Sequence, residues 1–149
     1  MSDTRHRILE DIKVAMKAGD KPRLATLRLM SAAIKQIEVD QRTELDEPGT
    51  ISVLDKMLKQ RRESISQYQQ AKRDDLIEVE QAELELIQEY MPEALSDDEI
   101  ASIIDDAVSS SGASSIKDMG KVMGVVKPLL QGKADMSAVS QIIKQRLNA

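Results

Sequence analysis

The chain has 149 residues, a formal net charge of −5, no cysteine and one histidine, His6. That composition excludes disulfides, thiol chemistry and a thiolate metal site, and it leaves too few histidines for a zinc centre or a histidine-activated nucleophile. With no Phe, no Trp and only Tyr68 and Tyr90 as aromatics, the core must be built from Leu, Ile, Val, Met and Ala, which favours helix on helix over packed sheets. No apolar run reaches the ~20 residues of a membrane span. The start, MSDTRHRILED, is charged and lacks a signal-peptide core, so a cytoplasmic protein is expected.

Taken in order, Thr4 to Lys17 predicts an amphipathic helix with Ile8, Ile12, Ala15 and Met16 on one side, closed by Gly19. Asp20 and Pro22 open a second helix, to about Thr43, with Leu24, Leu27, Met30 (or Ser31), Ile34 and Ile37 as its stripe. Glu44 to Thr50 contains Asp46, Pro48 and Gly49 and reads as a loop. A third helix, Ile51 to Ala71, carries Leu54, Met57, Leu58, Ile65 and Tyr68. Its stripe is interrupted by Arg61. After a polar turn capped by Asp74 or Asp75, a fourth helix from Leu76 to Tyr90 carries Leu76, Val79, Ile87 and Tyr90, interrupted by Glu83. A short turn makes these two helices antiparallel neighbours. An arginine in such a seam needs a carboxylate beside it, so Arg61 is expected to pair with Glu83 or Glu85.

Met91-Pro92 ends the first unit, giving an expected division into 1–92 and 93–149. Ser96 with Glu99 forms a capping box, with Leu95 and Ile100 as the staple. The helix continues to about Ser110. The adjacent Asp105 and Asp106 point apart and so form a solvated face, with no metal site expected. Ser115 is expected to cap a helix from Ile116, disturbed at Pro128. Asp135 caps the last helix, Met136 to Leu147.

Gly112 to Asp135 holds Gly112, Gly120, Gly124 and Gly132, four of the six glycines. Gly112 and Gly132 read as helix caps. Gly120 and Gly124, spaced i, i+4, cost helix stability and call for a reason. The first reading is close packing of a neighbouring helix; the second is a docking face for a phosphate backbone, with lysines at its rim. Charge is segregated around them. Residues 93–111 hold six acidic and no basic residues, whereas 112–149 hold Lys117, Lys121, Lys127, Lys133, Lys144 and Arg146 against Asp118 and Asp135.

The motifs Leu27-Arg28, Lys59-Gln60-Arg61-Arg62-Glu63-Ser64, Asp118-Met119-Gly120-Lys121-Val122-Met123-Gly124 and Gly132-Lys133-Ala134-Asp135 resemble the YqeY-type family. That family is related to the tail domain of the B subunit of the glutamine-dependent aminoacyl-tRNA amidotransferase. The resemblance implies an all-α, multihelical protein: an N-terminal bundle or hairpin unit plus a small orthogonal C-terminal bundle. It implies contact with tRNA or another structured RNA, or with a protein of tRNA aminoacylation or amidation, and no cofactor. The RNA-binding candidates are then Lys117, Lys121, Lys127, Lys133, Lys144 and Arg146 with Gly120, Gly124 and Gly132. Kinship also implies carbon–nitrogen ligase activity with glutamine as amide donor, or an accessory role in it. No catalytic residue supports that, since Ser114, Ser115 and Lys117 lack an oxyanion loop and a general base. A protein-interaction module is the third reading.

Overall fold

The computed structural model describes residues 1–148 as two compact units, 1–91 and 92–148, each with its own apolar core. All regular structure in the described residues is helical apart from a single bridge between Gln131 and Ala134. The protein is therefore all-α and multihelical.

The first unit contains α1 (Asp3–Ala18), α2 (Lys21–Gln41), α3 (Glu47–Gln70) and α4 (Asp74–Gln88). Ser2 accepts a hydrogen bond from the Arg5 amide to open α1, and Gly19 closes it at φ 68°, a left-handed cap that favours glycine. Asp20 caps α2 in the same way as Ser2 caps α1. The α1–α2 and α3–α4 hairpins pack on each other, α1 against α3 and α2 against both α3 and α4. Ile8, Leu27, Met30, Ile34, Leu54 and Ile87 are wholly buried between them. Each such side chain contributes roughly 1.5–3 kcal/mol by leaving water.

Several local expectations change. The Asp46-Pro48-Gly49 segment is the start of α3, not a loop: Asp46 accepts from the Gly49 amide and Pro48 occupies the first turn. A Cβ at Gly49 would lie 2.9 Å from Asp46 Oδ1, so a larger residue there would make the capping carboxylate shift. Val79 points outward, 57% exposed, and Leu84 and Leu86 take its expected place inside. Asp74 and Asp75 lie in the first turn of α4 beyond the capping residue Arg73, and Asp75 pairs with Arg73 instead.

The second unit contains α5 (Asp97–Ser111), a 3-10 turn (Ile116–Asp118), α6 (Met119–Leu130) and α7 (Met136–Asn148). The capping box is complete: Ser96 accepts from the Glu99 amide, and Glu99 accepts from the Ser96 amide. Ile104, Val122, Val126, Leu130 and Ile143 fill the core, joined by Ala107 and Val139. Ser115 makes no side-chain cap, because the chain forms the 3-10 turn before α6 begins. Pro128 sits inside α6, which ends two residues later at Leu130. Gly132 is not the helix cap, a place taken by Gln131. It lies one residue further on, at φ 80°, within the turn in which the Lys133 and Ala134 amides donate to the Leu130 carbonyl.

Candidate nucleic-acid interface

The site begins with the sequence MGKVMGVVKPLL of α6. One side of this helix must be apolar to meet α5 and α7, and Val122, Val126 and Leu130 supply it at i, i+4, i+8. Gly120, Lys121, Gly124, Val125, Lys127, Pro128 and Leu129 lie outside that stripe and are exposed. A Cβ at Gly120 or Gly124 would meet no atom within 4 Å. The close-packing reading of the two glycines therefore fails within this unit: no neighbouring helix presses on them. What they make is a smooth, accessible strip along α6, flanked by Lys121 on one edge and Lys127 on the other.

The six basic residues separate by what holds them. Arg146 on α7 is paired with Asp105 on α5. Lys121 lies 3.7 Å from Asp118, one turn before it, with its side chain 69% exposed. Lys117, Lys127, Lys133 and Lys144 are exposed and make no ion pair with any described residue. Lys117 lies in the 3-10 turn, ahead of the helix that carries Lys121. Lys133 is in the α6–α7 turn, whose backbone is tied down by the Leu95 amide donating to the Lys133 carbonyl at 2.9 Å. Asp118 also accepts from the Ser114 amide, and this bond, with help from Ser115 and Lys121, holds its carboxyl below the usual carboxylate range. The Ser114–Ser115 segment is thus a capped turn. No His, Cys, Asp or Glu cluster suited to a metal occurs among the described residues.

In the first unit Arg61 Nε donates to Glu83 at 3.2 Å, with both side chains mostly covered. Glu85 is exposed and accepts from Gln81 on its own helix. Sequence reasoning missed a more deeply buried pair. Arg5 of α1 meets Glu38 of α2, 9% and 8% exposed, and Glu38 also accepts from the Leu45 amide at 2.8 Å. The sequence does contain its trace: position 38 continues the Leu27, Met30, Ile34 stripe, displacing Ile37 from its centre. Tyr90 is buried too. It donates to Asp11 and carries the Arg7 guanidinium 4.2 Å above its ring. Burial, then the bond to Asp11, pushes its phenol well above the ordinary value.

The family profile described as Yqey-like protein matches residues 5–147. The chain belongs to the YqeY-like family. Among curated relatives it is similar to "Altered inheritance of mitochondria protein 41, mitochondrial" of Pyrenophora tritici-repentis, 31% identical over 96% of this chain and 80% of that protein. The protein of the same name from Eremothecium gossypii is 40% identical over 60% of this chain and 50% of its own length. The Saccharomyces cerevisiae protein is 37% identical over 54% and 44%. This YqeY-like chain thus spans half or less of those last two relatives. Their names also overturn the expectation of a cytoplasmic protein: a charged amino-terminal stretch does not report compartment, and these relatives are named as mitochondrial.

Proposed function

We propose that this YqeY-like chain is a non-catalytic RNA-binding module that holds structured RNA of the tRNA kind through its second unit. The observation that supports the reading is the exposed Gly120–Gly124 strip of α6, lined by lysines. Bare backbone lets a ribose–phosphate chain approach closely; Lys121 and Lys127 lie on the same helix, and Lys117 and Lys133 add cations in the turns before and after it. Lys144 on α7 adds to the same unit's positive charge, whereas Arg146 is engaged with Asp105 and Gly132 serves the turn. Recognition of this type reads shape and phosphate, and needs no aromatic stacking platform.

Fluorescence anisotropy with folded tRNA at low and moderate salt tests the reading. Affinity should fall steeply with salt, and each lysine removed should flatten the slope by somewhat under one unit. Lys127→Glu with Lys133→Glu should abolish binding and leave the helical spectrum unchanged, since both side chains are exposed and unpaired. Absence of binding at low salt, or binding untouched by the double substitution, would reject the RNA reading in favour of a protein partner.

A further inference from the structure

The Leu27-Arg28 motif is only half absorbed by the fold. Leu27 is wholly buried in the core of the first unit, whereas Arg28, beside it on α2, is exposed. The polar contact of its guanidinium runs across the α1–α2 hairpin: Nη2 donates to Met16 Sδ at 3.5 Å. A thioether is a weak acceptor, and a guanidinium carries five donors. The contact therefore leaves a strong donor poorly matched.

The sulfur is unusual among those of the chain. Of the eight methionines, Met1 and Met16 are exposed, Met30 and Met57 are buried, and the other four are partly covered. With no cysteine present, thioethers are the groups that two-electron oxidants reach. Met16 is 49% exposed and lies in the last turn of α1, outside the apolar cluster that its neighbour Ala15 joins. Two properties meet at this one sulfur. Solvent reaches it, and a cation is already held against one of its two lone pairs.

We propose that Met16 is a site of reversible oxidation by hydroperoxides, with Arg28 receiving the sulfoxide oxygen. The open lone pair of the sulfur attacks the terminal oxygen of the peroxide, and the S–O bond forms as the O–O bond breaks. The departing oxygen keeps the electron pair of that bond and takes the proton of the transferred hydroxyl. It leaves as water from hydrogen peroxide, or as an alcohol from an organic hydroperoxide. Sulfur is oxidised by two electrons, the peroxide is reduced by two, and no net proton is released. The new oxygen is a dipolar acceptor beside a guanidinium, so a weak contact becomes a charge-assisted hydrogen bond. Oxidation of a core methionine sets a polar group among apolar ones and disrupts packing. At Met16 the polar group has water on one side and a donor on the other, so the oxidised state ties α1 to α2 instead of loosening them. A methionine sulfoxide reductase restores the thioether. The site belongs to the first unit and does not depend on the role of the α6 lysines.

The test is graded treatment of the folded full chain with hydrogen peroxide, followed by proteolytic mapping with mass spectrometry. Met16 should gain one oxygen in step with Met1, and about tenfold or more ahead of Met30 and Met57, since susceptibility follows exposure. Melting of the oxidised protein, followed at the tyrosines, should show a midpoint equal to or above that of the untreated protein. In Arg28→Ala the same oxidation should lower the midpoint by several degrees, because the sulfoxide has lost its donor. Arg28→Lys, which restores a cationic donor, should recover most of that loss. Met16→Leu removes the reacting sulfur, so its midpoint should not respond to peroxide in either background. Oxidation of Met16 no faster than that of Met30 would overturn the proposal. So would an equal fall of the midpoint on oxidation with and without Arg28, or a shift that persists in Met16→Leu.

Discussion

The two arginine–glutamate pairs of the first unit differ in depth, and their energetics should differ accordingly. Arg5 and Glu38 are 9% and 8% exposed, and Glu38 also secures the Leu45 backbone. Removing one member of such a pair strands a buried charge, so Glu38→Ala should cost about 3–5 kcal/mol. The Arg61–Glu83 pair keeps more contact with water, 15% and 21% exposed. Arg61→Ala should therefore cost about 1–2 kcal/mol, nearer to an ordinary charged hydrogen bond. Urea midpoints of the two variants at constant slope check the order, and a larger loss for Arg61→Ala would contradict it. One rule reads both pairs from sequence: a charged residue on an apolar helical stripe needs a buried partner. Arg61 is legible because its neighbours on the stripe are plainly apolar. Glu38 is concealed by Ile37 beside it, which offers an apolar residue at almost the same angle.

Among the elements, α6 sets helix stability against access. Gly124 is mid-helix and its Cβ position is empty. Gly124→Ala should raise the stability of the second unit by up to about 1 kcal/mol from helix propensity alone. If the strip receives an RNA backbone, the same methyl group should weaken tRNA binding, so that stability and affinity move in opposite directions. A fall in melting temperature would show that a neighbour does press on Gly124. At the other helix start, Ser96→Ala removes one arm of the capping box and should cost about 1 kcal/mol. Both boundaries of α5 are legible in sequence because Ser96, Glu99 and Gly112 act within one turn of themselves. The start of α3 is not, since Asp-x-Pro-Gly suits a loop and a capped first turn equally, and only the packing of Thr50 and Ile51 decides. Nor is the openness of Gly120 and Gly124 legible. Sequence gives their spacing, whereas the side they face depends on where α5 and α7 lie.

At the scale of the molecule, each unit encloses its own apolar cluster, and the second is built wholly from residues 95 to 147. Residues 92–149 expressed alone should therefore be helical and melt cooperatively by far-ultraviolet circular dichroism. A broad, non-cooperative melt would contradict this. Acid should weaken that fragment. Asp118 titrates below the ordinary carboxylate value in the folded state, chiefly because it accepts from the Ser114 amide. A carboxyl lowered in this way stabilises the fold above its unfolded pKa, and the contribution disappears as pH falls through its folded pKa. The melting temperature should drop below about pH 4, and Asp118→Asn should lower the neutral-pH value and flatten the acid limb.

The placement of the aromatic residues has a practical consequence. Tyr68 and Tyr90 both belong to the first unit, and the chain has no Phe or Trp. Near-ultraviolet light therefore sees residues 1–91 and is blind to the rest, while the peptide band sees both. Anyone following denaturation by tyrosine absorbance or near-ultraviolet dichroism will record the melting of the Tyr90–Asp11–Arg7 assembly and nothing of α5 to α7. The blindness is useful. Coincident tyrosine and peptide-band transitions would mean that the units unfold together, and separated ones that they do not, from a single unlabelled sample. A Trp introduced at Val125, an exposed position on α6, would give the second unit an optical reporter of its own and leave the first unit's spectrum as the internal control.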